Sequence, residues 1–285
     1  MFEYSEFIKN TDISSIEITD DSVLMICRST GVKMLCDKTD ERIAPIKILN
    51  FDFYEKTDFN MALRLIEENF IVFDIGANIG QYTINISKLV KGVKVFSFEP
   101  ILKTFRYLKE NIEMNNIPNA QIFNFGFSNE EKERTFYYYP EGSGNASLAD
   151  LSRCNNVEKI SCYVRKLDNF ISERKLKVDF IKCDVKGAEL FVFKGGIETI
   201  KIHKPIILAE MLRKWATNFN YHPNEIIELL SDIGYRCFTA KGEKLIEFFT
   251  MDEQTVETTF FFLHSVKHNS KINNLLKNKA LLPKR

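Results

Sequence analysis

The chain has 285 residues, and its 39 lysine and arginine residues balance 39 aspartate and glutamate residues, so the formal net charge at pH 7 is zero. Hydrophobic residues make up 45% and charged residues 27%, which is typical of globular proteins and excludes a fibrous or structureless chain. Because no global positive field favours nucleic acid or an anionic membrane, no nucleic-acid partner is predicted, and any charged partner must be recognised locally.

The six cysteines form no CxxC pair, so the sequence predicts neither a zinc site nor a disulfide framework. The first residues lack the basic and apolar stretches of a signal peptide. No segment approaches the roughly 18 apolar residues that cross a bilayer. These features together predict a cytoplasmic protein without a transmembrane segment.

The first 52 residues are predicted to form a β-rich accessory region. Three short runs of apolar and β-branched residues alternate with turn-forming pairs, which is typical of an antiparallel hairpin or meander. The runs cover residues 16–18, 23–26 and 31–35. Beyond them, Phe59, Leu63 and Ile66 recur at helical spacing, so an amphipathic helix is predicted over residues 54–69.

From residue 70 onward strands alternate with helices, and this βαβ rhythm predicts a mostly parallel sheet with helices on both faces. The predicted strands are 70–74, 94–98, 121–127, 178–183, 205–210, 235–240 and 258–264. Helices are predicted up to about residue 90, over 103–115, near Glu198 and over 224–233. We therefore expect an α/β domain over residues 53–264, followed by a basic C-terminal tail over residues 265–285.

An insertion interrupts this rhythm between residues 134 and 165. Residues 135–139 and 160–164 are rich in aromatic and β-branched side chains, which indicates an antiparallel pair of strands. Such an insertion could form a lid or one wall of a substrate site.

The most informative segment follows the first strand of this domain and reads Asp74-Ile-Gly76-Ala-Asn78-Ile-Gly80-Gln-Tyr82. Ligands of such sheets bind at the carboxyl ends of the strands. The glycine spacing does not fit the G-x-G-x-x-G cradle for a dinucleotide, and an acid at the strand end disfavours phosphate. A positively charged ligand with a ribose, such as S-adenosylmethionine, suits this segment better. Its ribose hydroxyls would be bound by Glu99, at the end of the second strand.

A second cluster follows the strand 178–183. Lys182 and Asp184 share one face of the strand by its period of two, and Lys186 and Glu189 come directly after it. Glu210 ends the next predicted strand, so its carboxyl is expected at the same edge of the sheet. Trp215 and Arg213, which follow closely, are candidates for the mouth of an acceptor site.

These motifs, in this order, resemble those of the FkbM family of class I S-adenosylmethionine-dependent methyltransferases over roughly residues 50–264. The resemblance implies a seven-stranded Rossmann-like sheet with a reversed last strand, and O-methylation of sugar or polyketide hydroxyls. It assigns donor binding to Asp74, Gly76, Asn78, Gly80 and Glu99. The family motif D-V-E-G-A-E matches Asp184, Gly187 and Glu189, but Lys186 stands where the family has an acid.

We interpret Asp184 as the general base that activates the acceptor hydroxyl, with Glu210 as the second candidate. Lys182, Lys186 and Glu189 are predicted to contact a small-molecule or glycan acceptor. A metal site is not predicted, because one aspartate without a neighbouring Asp-Asn pair offers too few oxygen ligands for Mg²⁺.

Two other classes stay open on the residues alone. A donor-binding but inactive scaffold is suggested by the lysine at position 186. A nicotinamide-dependent oxidoreductase would share the sheet and the ribose-binding acid, although the chain lacks its G-x-G-x-x-G turn.

Overall fold

The computed structural model describes residues 8–41, 43, 46–48, 56–151 and 156–276. The predicted domain boundary at residues 52 and 53, the first two residues of the predicted helix 54–69, and residues 277–285 of the predicted tail lie outside this range, as does Cys154. In the part of the chain that is described, no helix combines the length and the apolar character needed to cross a bilayer.

The N-terminal region forms an antiparallel three-stranded sheet, which confirms the predicted meander. Its strands are β1 (Ile13–Ile18), β2 (Ser22–Cys27) and β3 (Lys33–Asp37), in that order. Its buried side chains, such as Ile13 and Met34, pack in one cluster with Ile84 and Leu108 of the following domain. The N-terminal sheet and the main domain therefore share a hydrophobic core.

The main sheet has eight strands and confirms the expected α/β class. They are β4 (Ile71–Ile75), β5 (Lys94–Phe98), β6 (Ala120–Phe123), β10 (Phe180–Cys183), β11 (Ile206–Glu210), β12 (Tyr235–Lys241), β13 (Lys244–Phe248) and β14 (Thr259–His264). Their spatial order is β13-β12-β14-β11-β10-β4-β5-β6. Strand β14 is antiparallel to both of its neighbours, as the implied reversed last strand requires.

Strand β13 is the eighth strand and extends the seven that were expected. It pairs with β12 across a two-residue turn at 242–243, where Gly242 has a φ of +59°. A left-handed glycine in a two-residue turn is typical of a tight hairpin. The glycine at position 242 is therefore the sequence feature that indicates β13.

Nine α-helices have both of their ends among the described residues. They are α1 (Lys56–Leu65), α2 (Gln81–Leu89), α3 (Leu102–Met114), α4 (Leu167–Arg174), α5 (Glu189–Lys194), α6 (Ile197–His203), α7 (Arg213–Ala216), α8 (Asn224–Ser231) and α9 (Asn269–Leu275). Successive side chains of each parallel strand point to opposite faces of the main sheet and pack in two separate hydrophobic cores. Phe73 and Ile181 pack on one face of the sheet, and Val72 and Phe180 pack on the other. This double burial explains why the parallel strands are continuously apolar.

The insertion forms a third sheet of β7 (Gly126–Phe127), β8 (Lys132–Tyr138) and β9 (Glu158–Arg165), in the order β7-β9-β8. The predicted antiparallel pair corresponds to β8 and β9. The strand predicted over 121–127 is divided between two sheets, because Asn124 turns the chain and donates through its side-chain amide to the carbonyls of Glu99 and Pro100, both at 2.9 Å.

Two asparagines of α3 attach the N-terminal sheet to the main domain. The side-chain amide of Asn111 accepts from Leu35 N at 2.6 Å and donates to Leu35 O and Ile79 O, both at 3.0 Å. The amide of Asn115 accepts from Lys33 N at 3.0 Å and donates to Lys33 O at 2.6 Å. The amides thus satisfy the outer edge of β3, and Asn111 also contacts the loop after β4.

Candidate active site

The loop between β4 and α2 makes a tight turn against the end of β10. Gly76 has a φ of +77°, and a Cβ atom there would lie 2.0 Å from the carbonyl oxygen of Asp184. Gly80, with a φ of +98°, directly precedes α2 and packs against Leu108, 2.8 Å from where its Cβ would be. Both positions therefore favour glycine by conformation, and the Asp184 backbone leaves no space for a side chain at Gly76.

Glu99 follows β5, is 6% exposed and faces this loop. Its two carboxylate oxygens accept backbone N–H groups from Asn78 at 3.1 Å and from Ile101 at 2.9 Å. Burial raises the pKa of Glu99 to about 7, against the opposing effect of the two N–H donors. Glu99 is thus a carboxyl that titrates near neutral pH.

Asp74 lies at the end of β4 with none of its surface exposed. It accepts from Thr83 Oγ1 at 2.7 Å and pairs with Lys182 Nζ at 3.1 Å. Lys182 also donates to the carbonyl of Gly76 at 2.7 Å. A cavity lies between this loop and the residues that follow β10 and β11, and Asp74 is not one of the described residues that line it. Its contacts therefore favour a role in holding Lys182 and the loop.

Three further residues of the loop region, Asn78, Gln81 and Tyr82, line the same cavity. Asn78 donates through its side-chain amide to Ser143 Oγ at 3.3 Å and so joins the loop to the insertion. The Tyr82 ring is buried, with the ammonium of Lys182 5.4 Å from its centroid. The buried Oε1 atom of Gln81 has no hydrogen-bond partner among the described residues.

Acids and lysines alternate along the carboxyl ends of β10 and β11. Lys182 lies 3.9 Å from Asp184 Oδ2, and Lys186 lies 2.6 Å from Asp184 Oδ1. Lys186 Nζ also donates to Glu210 Oε2. The predicted strand-end residues are thus brought together in one group of ion pairs.

The two acids of this group have opposite pKa shifts. Burial acts to raise the pKa of Asp184, but the positive charges of Lys186 and Lys182 outweigh it and hold that pKa below its usual range. Burial and the negative charge of Asp184 raise the pKa of Glu210 well above its usual range. Glu210 is therefore the stronger proton acceptor of the pair.

The backbone around Lys186 is left-handed, with a φ of +53° at Lys186 and +100° at Gly187. Ser147 Oγ of the insertion donates to the carbonyl of Lys186 at 2.8 Å. Glu189 accepts from the N–H groups of Val185 and Gly187, both at 3.0 Å, so it closes this loop. Glu189 is 1% exposed and is not one of the described residues that line the cavity, which favours a structural role over acceptor contact.

A cavity of about 310 Å³ joins these groups. One side is formed by residues 76–79, Gln81, Tyr82 and Glu99, and the other by Lys182, residues 184–186 and Glu210. Phe136 and residues 143–146 of the insertion line it as well, which agrees with the expected substrate wall.

Some residues of the cavity were not singled out by the sequence. Ile43 and Lys47 reach it from the N-terminal region, and Lys214 lies beside Trp215 at its mouth. No local motif marks Ile43 or Lys47, because tertiary structure brings them there. Arg213 instead donates to the carbonyl of Glu253 at 3.0 Å, so its predicted place at the acceptor mouth is not supported.

Comparison with known proteins gives matches in both sequence and structure. Methyltransferase 1 of Beauveria bassiana is 26% identical over 147 residues, covering 45% of this chain and 59% of the relative. The 2-O-methyltransferase NoeI of Sinorhizobium fredii is 30% identical over 145 residues, covering 46% of this chain and 58% of the relative. The chain thus spans about three fifths of the length of these curated relatives.

A crystal structure of methyltransferase FkbM from Methylobacillus flagellatus is 18% identical, with a TM-score of 0.43, and the match covers 68% of this chain and 43% of that one. The family model for the methyltransferase FkbM domain matches residues 74–237, which is more than half of the chain and includes the loop after β4, Glu99, the ion pairs and Glu210. The chain therefore belongs to the FkbM family of S-adenosylmethionine-dependent methyltransferases.

Proposed function

We propose that this protein transfers a methyl group from S-adenosylmethionine to a hydroxyl of a sugar or polyketide-like acceptor. The observation that carries the proposal is that Glu210, a partly buried carboxyl with a raised pKa, lines the same cavity as Glu99. The relative NoeI is by name a 2-O-methyltransferase, which supports transfer to oxygen.

The residues at the carboxyl ends of β4 and β5 fit the methyl donor. Glu99 keeps lone pairs for ribose hydroxyls after accepting its two backbone N–H groups. The buried Gln81 Oε1 is an acceptor without a partner among the described residues, and it suits an ammonium group. Gly76, Asn78 and Gly80 shape the loop around this space. When bound, the donor supplies a sulfonium-activated methyl carbon.

Glu210 is the proposed general base. A carboxylate removes a proton better when its pKa is near the operating pH, and burial beside Asp184 moves the pKa of Glu210 in that direction. Asp184, which the sequence favoured as base, is paired with two lysines that lower its pKa. We assign to Asp184 the role of positioning Lys186 and Lys182.

Alignment of the acceptor hydroxyl provides much of the remaining rate. In-line displacement needs the reacting atoms about 3–3.5 Å apart, and effective molarities of about 10⁵ M or more are available to a well-aligned pair. Lys186 holds Glu210 on one side, and Ser147 holds the Lys186 backbone from the insertion. These contacts keep the base in place relative to the donor side of the cavity.

The test is methyl transfer from isotopically labelled S-adenosylmethionine to a panel of monosaccharide glycosides, followed by mass spectrometry of the products. Glu210→Gln is expected to lower kcat by about 10²–10⁴-fold, the usual contribution of a general base, while S-adenosylhomocysteine affinity stays unchanged. Glu257→Gln, at an exposed site, is the matched control and should leave kcat unchanged.

Three results would contradict parts of this proposal. Full turnover by Glu210→Gln would remove Glu210 as the base. Methylated nitrogen in place of oxygen would remove the O-methyltransferase assignment. Tight binding of S-adenosylhomocysteine with no transfer to any acceptor would favour a donor-binding scaffold, in which the ion pair of Lys186 with Glu210 keeps the base occupied.

A further inference from the structure

Two lysine ammonium groups lie close to the same indole ring at the mouth of the cavity. Lys186 Nζ is 4.6 Å and Lys214 Nζ is 5.3 Å from the centroid of Trp215. All three residues line the cavity on the side away from Glu99. We call Lys186, Lys214 and Trp215 the lysine corner.

The two lysines differ in how their charge is balanced. Lys186 pairs with the carboxylates of Asp184 and Glu210. Lys214 is exposed, and among the described residues its ammonium contacts the Trp215 ring and no carboxylate. Among the described residues, the charge of Lys186 is therefore balanced by carboxylates, whereas that of Lys214 is not.

The other lining residues that the structure describes do not balance the charge of Lys214. Lys182 is balanced by the buried Asp74. The acids that line the cavity among the described residues are Glu99 on the donor side and Asp184 and Glu210, which already face Lys186. An uncharged acceptor would leave the ammonium of Lys214 without an anionic partner.

We infer that the acceptor carries an anionic group, a carboxylate or a phosphate, that binds at the lysine corner beside the hydroxyl to be methylated. This inference rests on the proposed function, because it assigns the charge of the acceptor in the same cavity. The anion contacts Lys214, whose ammonium lies against the Trp215 ring. An anion at this place also offsets the positive charge that the methyl donor brings to the site.

The test compares three probes by calorimetric titration into protein saturated with S-adenosylhomocysteine: 4-nitrophenyl β-D-glucuronide, glucose 6-phosphate and the neutral 4-nitrophenyl β-D-glucoside. At least one charged probe is expected to bind roughly 1.5- to 5-fold more tightly than the neutral glucoside, the range for one exposed ion pair. Preference for glucuronide or for glucose 6-phosphate then identifies the anion as carboxylate or phosphate.

Lys214→Met is expected to remove this preference, and Lys214→Arg should retain it, because arginine keeps the positive charge. Lys194→Met, an exposed lysine of α5 outside the cavity, is the matched control and should keep the wild-type preference. Raising the salt concentration should reduce the preference in the wild type, since the interaction is exposed to solvent.

The inference is overturned if the glucoside binds as tightly as both charged probes, if none of the three binds, or if Lys214→Met keeps the preference. These results would leave the proposed methyl transfer intact as long as S-adenosylhomocysteine binds. Failure of S-adenosylhomocysteine itself to bind would instead overturn the proposed function, and with it this inference.

Discussion

Two buried carboxyl groups show how the surroundings of a residue decide its role. Burial raises the pKa of both Glu99 and Glu189 to about 7. Glu189 is enclosed by the N–H groups of its own loop, whereas Glu99 lines the cavity. Only Glu99 can therefore couple its protonation directly to a ligand.

Donor binding is expected to depend on pH through Glu99. The ionised carboxylate is the form that accepts ribose hydroxyls, so affinity for S-adenosylhomocysteine should rise from pH 6 to pH 8 and level off above the pKa of about 7. Below that pH, binding should release a proton. Calorimetry in buffers of different ionisation enthalpy measures both effects.

Glu99→Gln should lower the affinity about 10- to 100-fold at pH 8, which corresponds to losing hydrogen bonds to a charged group. It should also abolish proton release. Glu113→Gln, at an exposed position on α3, is the control and should keep the wild-type pH dependence. A wild-type affinity that is flat between pH 6 and 8 would show that Glu99 does not bind the donor in its ionised form.

The sequence predicted the members of the candidate site better than their roles. Strand-end position indicated Asp184 and Glu210, because parallel strands end at one edge of the sheet. It did not show that Asp184 is the acid paired with two lysines and that Glu210 is the acid with the raised pKa. That difference depends on where Lys182 and Lys186 place their ammonium groups. Lys47 reaches the cavity through tertiary structure that no local pattern encodes.

At the scale of elements, the contact between α3 and β3 depends on similar distances between two residues on the helix and two residues on the strand. Asn111 and Asn115 are four residues apart on a helix, which is about 6 Å of rise. Lys33 and Leu35 are two residues apart on a strand, which is about 6.6 Å. The two asparagine amides therefore meet two successive outward-facing backbone groups, as a neighbouring strand would.

Asn111→Ala is expected to destabilise the protein by about 1–3 kcal/mol, because it leaves the buried carbonyl of Ile79 and the partly buried backbone groups of Leu35 without partners. Denaturant unfolding measures this loss of free energy. Asn273→Ala on the exposed face of α9 is the control and should change the stability by less than about 0.5 kcal/mol. An equal effect of both substitutions would show that the contact between α3 and β3 contributes little.

The same elements show how far the pattern of residues determines the fold. The alternation of apolar strands and amphipathic helices predicted the main sheet, because burial on both faces imposes that pattern. The division of residues 121–127 between β6 and β7 was missed, because the run is apolar throughout while Asn124 bonds to a neighbouring turn. Such a contact between distant residues has no periodic signal.

At the scale of the whole molecule, α9 is held against the main sheet by a pair of histidines. His264, the last residue of β14, donates its backbone N–H to His268 Nδ1 at 3.0 Å, and His268 N donates to His264 O at 2.9 Å. Burial and the nearby Lys267, His264 and Lys271 lower the pKa of His268 to about 3. Neutral His268 is therefore the form that fits the folded protein.

Because the folded pKa of His268 lies below its unfolded value of about 6.5, its contribution to stability is complete above pH 6.5 and is lost as the pH falls toward 3. His268→Asn should therefore cost more at pH 7.5 than at pH 5. The expected difference is roughly 1 kcal/mol, or about 2–4 °C in Tm after allowance for solvent screening.

Thermal unfolding of wild type and variant at the two pH values measures this difference, and the comparison cancels the titration of other groups. Asn273→Ala, which removes no titratable group from α9, serves as the control and should show the same cost at both pH values. A cost of His268→Asn that does not change with pH would mean that protonation of His268 is not linked to folding.

The lysine corner also contains an intrinsic fluorophore, Trp215, so ligand binding at the site can be followed without an added label. Trp215 is the single tryptophan of the chain, so the intrinsic indole fluorescence of the whole protein comes from the mouth of the cavity. The excited indole is sensitive to nearby charge, and two ammonium groups lie within 5.3 Å of its centroid. Any ligand that rearranges Lys186 or Lys214 therefore alters an emission signal that has no background from tryptophans elsewhere in the chain.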